Sequence, residues 1–184
     1  MPGVEGRRQG HHPGAKALHW ITALAVFGLL GVGLWMTGLP LGLLKFKVYG
    51  WHKWIGLTVL VLTVARLWWR WRHPPPALPG AVPAWERRAA HAAHGTLFFL
   101  LLAMPISGWL MNSAAGVGLY WFGYVPIPDL VPRDPALFET LRMVHRVLSR
   151  LLMAVVALHV GAVVYHDVLR RDGIFRRMWL SGER

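Results

Sequence analysis

The chain has 184 residues, 55% of them hydrophobic and 15% charged, with eleven tryptophans. This composition excludes an ordinary soluble globule and fits a membrane protein. The absence of cysteine excludes disulfides, iron–sulfur clusters and thiolate chemistry, and the net charge of +12 does not indicate nucleic acid, because the basic residues lie between apolar runs and form no stripe.

Four apolar runs have the length needed to cross a bilayer, about twenty residues. They cover about 17–39, 51–69, 92–115 (with Pro105 inside) and 144–168. The first has too long an apolar core, and no small-residue cleavage site after it, to read as a cleavable signal peptide. HPPPALPGAVP (73–83) and GVGLYWFGYVPIPDLVPRDP (116–135) break the pattern and read as loops. Tyr120, Trp121, Phe122 and Tyr124 in the second loop suit an interfacial aromatic belt. The expected fold is all-α: a four-transmembrane-helix bundle forming a single domain over 1–184, with membrane lipid around it.

Charge sets the expected direction. The N-terminus, the 66–90 region and the C-terminal tail hold thirteen basic residues; the other side holds seven, Lys45, Lys47, Lys53, Arg133, Arg142, Arg146 and Arg150. The positive-inside rule then places both termini in the cytoplasm.

Ionisable residues inside a bilayer are costly and point to function. Of ten histidines, His11, His12 and His73 fall in polar or Pro-rich segments and read as solvated. The rest sit at or in spans. His19 lies near the inner end of span one, and His52 near the outer end of span two. Span four, entering from outside, carries His145 at the outer level and His159 at the inner level. Fourteen helical residues rise about 21 Å and return to within roughly 40° of the starting face. One face of span four thus offers an imidazole at each of two depths, with His52 matching the outer one and His19 the inner one.

Two opposed imidazoles in an apolar four-helix bundle suit haem, which needs two axial nitrogens and a greasy pocket. Zinc usually takes three or four ligands, and copper meets the same shortfall here without a thiolate. Six-coordinate bis-His iron has no open position and favours electron transfer over oxygen activation. Arg66, fourteen residues after His52, reaches the inner level as a haem-propionate partner or a positive-inside anchor. His91 and His94 open span three as possible propionate contacts or replacement inner ligands, and His166 falls at the interface. Gly28, Gly31 and Gly33 would admit a flat macrocycle or a tight helix contact. Met36, Met104 and Met111 read as core filling. A different class, a haem-free metal transporter gated by histidines, is separated from these readings by a visible spectrum.

The segments ALHW (17–20), VARLWWRWRHPPP (64–76), HAAHG (91–95), LAMPISGWLM (102–111), YWFG (120–123) and RRDGIFRRM (170–178) stand in order around the four histidines. Over about 15–180 the chain resembles the prokaryotic cytochrome b561 family, dihaem b cytochromes of the bacterial inner membrane. The resemblance implies two haem b groups, His19 with His159 on the inner one and His52 with His145 on the outer one. It also implies exchange of electrons with membrane quinone. Some members are free-standing superoxide:ubiquinone oxidoreductases; others are membrane subunits of hydrogenases or dehydrogenases, with a protein as redox partner. The seven outer basic residues face Asp129, Asp134 and Glu139, a local net of +4 that would steer superoxide or merely contact lipid headgroups. If they lie deeper than the loop, Arg146 and Arg150 would raise the potential of an outer haem, because a nearby cation stabilises its less positive, reduced state. Lys53 and Trp54, beside His52, would be quinone contacts.

Overall fold

A computed structural model of the chain describes residues 12–74, 83–173 and 175–179. Arg7, Arg8, His11, most of the Pro-rich loop and Arg184 lie outside the described residues, as does the side chain of Arg177. Four helices follow one another: α1 Pro13–Thr37, α2 Leu43–Arg72, α3 Ala84–Ala114 and α4 Pro135–Val164. All four are long and apolar enough to cross a membrane. The helices outrun the apolar spans because nothing stops them at the hydrocarbon edge. Helix α2 begins just after Pro40 and Gly42, and α3 just after Pro83. Helix α4 starts at Pro135, where the missing N–H costs nothing and Asp134 caps the turn by accepting from Ala136 N at 2.8 Å and Leu137 N at 3.0 Å. A π-helical turn, Tyr165–Arg170, continues α4 and ends at left-handed Arg171.

The segment 116–135 is more ordered than a loop. Strands β1 (Leu119–Trp121) and β2 (Val125–Ile127) pair antiparallel. Phe122 (φ 51°) and Gly123 (φ 81°) turn the chain between them. Two consecutive positive φ values suit the right-handed twist of a hairpin and explain glycine at the second position. Trp121 Nε1 donates to Trp54 O and to Thr58 Oγ1, both at 3.2 Å, which pins the hairpin to α2.

Helix α1 packs on α2, α2 on α3, and α3 on α4. Between α1 and α4 lies an apolar cleft of about 530 Å³ lined by Phe27, Leu30, Met153, Val156 and Val160, among others. Large apolar side chains such as Leu24, Phe99 and Leu158 point outward. In water this would be a liability; in lipid it is the solvated face. Inside, Val26, Val59, Leu100, Leu101 and Leu152 form the buried core, with Met104 packed against it. Leu152 stands seven residues from both His145 and His159. The core therefore separates the two histidine levels.

Candidate functional site

The inner level gathers side chains from all four helices. His19 (α1) and His159 (α4) have ring centroids 6.5 Å apart. His94 (α3) stands closer to His159, at 5.5 Å. Arg66 (α2) sets its Nη2 3.1 Å from His19 Nδ1 and its guanidinium 5.2 Å from the Phe98 ring. A guanidinium only donates, so His19 accepts at Nδ1. Arg66 thus stands beside His19, and its neighbour there is an imidazole. His91, on the same helix as His94, is exposed.

The outer level holds the other two histidines. His52 (α2) and His145 (α4) are near neighbours there. His52 Nδ1 is buried and has no hydrogen-bond partner. A Cβ on Gly33 would come within 3.3 Å of His52 Cε1, and one on Gly108 within 3.2 Å of His145 Cε1. Two glycines from different helices thus make room for the two rings. Gly28 and Gly31 are different: nothing lies within 4 Å of a Cβ there, so they serve no tight helix contact.

Ser107 Oγ lies 2.8 Å from His145 Nδ1 and donates to Met104 O at 2.7 Å. Neither Ser107 nor Gly108 stands out in the sequence. The available signal was a Ser-Gly pair two residues after Pro105, at the depth of His145. Beside His52, Gly50, Lys53, Trp54, Gly118, Leu119, Tyr120 and Gly123 line a cavity of about 270 Å³. Lys53 Nζ is held by Asn112 Oδ1 at 2.6 Å, and Asn112 Nδ2 donates to Val117 O at 2.5 Å.

Other outer cations are partly spoken for. Arg142 pairs with Glu139, and Lys45 Nζ donates to Leu39 O at 2.7 Å. Arg146 and Arg150 are exposed on α4. Two histidines outside these levels have structural tasks. His12, exposed as expected, also caps α1 by accepting from Gly14 N at 3.2 Å, and its ring centroid stands 5.2 Å from that of Trp69. His166 Nδ1 meets Asp172 Oδ2 at 2.5 Å.

The site has the features that a pair of axially ligated haems needs. It offers imidazoles at two depths, a buried ring nitrogen with no protein partner, glycines that clear the rings, and an apolar cleft between the helices bearing His19 and His159. Among the described residues no three histidine or carboxylate side chains cluster as metal ligands. The fold and site define a four-helix membrane protein with paired intramembrane imidazoles. Residues 10–181 match the family of prokaryotic cytochrome b561, and the chain belongs to that family. It is 31% identical over 172 residues to cytochrome b561 homolog 2 of Escherichia coli K12, covering 89% of this chain and 88% of that one. Identity to cytochrome b561 homolog 1 of the same organism is 27% over 165 residues (88% and 92% covered). Identity to the probable superoxide oxidase CybB of Yersinia pestis is 27% over 166 residues (88% and 90% covered). The chain is therefore a membrane electron-transfer protein of a haem b family, a multi-pass protein of the inner membrane.

Proposed function

We propose that this chain holds two bis-histidine b haems and carries electrons from superoxide, at the outer face, to ubiquinone. The observation that carries the reading is the placement of His145 and His159 on one uninterrupted helix, each beside an imidazole from another helix. His19 and His159 hold the inner group, and His52 and His145 the outer one. A bis-imidazole haem supplies reversible one-electron transfer with no open coordination position. The protein supplies the rest. The apolar core around Leu152 keeps water from the space between the levels. Ligation through His19 Nε2 requires Arg66 to release Nδ1, which frees the guanidinium to pair with a propionate. His94, beside His159, is placed to do the same from α3.

At the outer face, Lys53, Arg146 and Arg150 present positive charge near His52 and His145, which draws a small anion inward. The cavity walled by Lys53 and Trp54 opens one residue from His52. The reaction balances simply. Two superoxide anions each lose one electron and leave as dioxygen, and one ubiquinone takes both electrons with two protons and leaves as ubiquinol. The name of the Yersinia relative supports this chemistry. The charge asymmetry supports cytoplasmic termini.

The purified protein, expressed with ample haem, should show two b-type components in its reduced-minus-oxidised spectrum. A colourless protein refutes the redox reading and returns the histidine-gated transporter. His159→Ala should remove the inner component alone; loss of only the outer signal refutes the pairing. With ubiquinone present, the protein should consume superoxide faster than spontaneous dismutation. No acceleration would assign it to the other role in the family, an electron-conducting subunit of a membrane dehydrogenase or hydrogenase.

A further inference from the structure

Helix α3 contributes no axial imidazole to the outer level, yet it touches His145 at two adjacent residues. Its segment Met104-Pro105-Ile106-Ser107-Gly108 forms a cradle. Gly108 clears the ring, with 3.2 Å between a would-be Cβ and His145 Cε1. Ser107 is buried, at 5% exposure, and its Oγ lies 2.8 Å from His145 Nδ1. The direction of that contact follows from proton counting. A serine hydroxyl has one hydrogen. Here it points at Met104 O, 2.7 Å away. The Met104 carbonyl can only accept. Ser107 therefore accepts from His145, and the ring carries its proton on Nδ1. Nε2 is left with the lone pair.

His52, across the outer level, has nothing equivalent behind its Nδ1. We propose that Ser107 is the positioning residue of the outer centre: it fixes His145 in the iron-binding tautomer and sets the potential of the haem that ring holds. The inference rests on the dihaem reading above. The sign follows from the chemistry of the ligand. An N–H donated to an acceptor makes an imidazole more basic. A more basic ligand stabilises ferric over ferrous iron and lowers the potential.

The test is a redox titration of the whole protein in detergent, with visible and EPR detection. His145→Ala first identifies the outer component by its loss. Ser107→Ala should raise the midpoint of that component, leave the other in place, shift the ferric low-spin g values of one centre, and weaken outer haem retention by about 10–100-fold. Ser107→Thr keeps the hydroxyl and should behave as the parent does. Should the alanine variant fail to fold, Ser107→Cys replaces it, because sulfur is a weak acceptor; its outer midpoint should lie above that of Ser107→Thr. Unshifted midpoints with both haems present overturn the proposal, as do equal shifts of both centres or identical cysteine and threonine values. Failure of the dihaem reading looks different: the parent protein then shows no second b-type component at all.

Discussion

At Gly33 and Gly108 single atoms decide whether the outer rings fit. A methyl group at either position meets an imidazole carbon at 3.3 or 3.2 Å, so the ring must shift by a few tenths of an ångström. Gly33→Ala and Gly108→Ala should each reduce outer haem content while leaving the inner component, measured as the haem-to-protein ratio in difference spectra. Arg66 gives the opposite sign to Ser107 at the opposite level. Its guanidinium, released from His19 by ligation and still at the inner level, favours the less positive ferrous state of an inner haem. Arg66→Gln should therefore lower the inner midpoint in a redox titration and leave the outer one unmoved. His19, His52, His145 and His159 were legible as residues because a histidine in a lipid-length run is costly. Ser107 was not, since a buried serine in a helix usually bonds the carbonyl three or four residues back, and only its second contact distinguishes it.

The helices show how far local pattern reaches. Their existence and order follow from hydropathy, which each segment carries by itself. Their starts do not, because α2, α3 and α4 run back through less apolar residues to the nearest proline or glycine. Asp134 secures one such start with two amide contacts. Asp134→Ala should cost about 1 kcal/mol. That corresponds to a thermal midpoint lowered by about 2–4 °C in a circular dichroism melt. The hairpin between α3 and α4 was hidden because three-residue strands carry almost no periodicity. It is held by Trp121 on Trp54 and Thr58. Trp121→Phe keeps most of the apolar surface and removes both N–H contacts. Limited proteolysis should then cut at 122–124 faster than in the parent chain.

For the whole molecule, the proposed direction across the membrane comes from thirteen basic residues on one side against seven on the other. A fluorescent protein fused to the C-terminus should fluoresce, and alkaline phosphatase fused there should be inactive; the reverse pair of results inverts the topology. With that topology the hairpin, Lys53 and the His52–His145 level face the periplasm. On the proposed dihaem reading, the core around Leu152 then stands between an outer and an inner centre, as electron transfer across the thickness of the bundle requires.

The sequence by itself determined the number of membrane helices and the two histidine depths. Both rest on quantities carried along one chain: transfer free energy per segment, and the fixed rise and rotation of an α-helix. The fourteen-residue interval in α4 is such a quantity, and it needs no neighbour to be read. Only the tertiary structure decided what backs each imidazole: serine behind His145, arginine beside His19, no protein partner for His52 Nδ1. Those contacts join helices distant in sequence, and they depend on which faces meet when α3 packs on α4 and α1 on α2. No local pattern encodes that choice, because it is settled by packing all four helices at once.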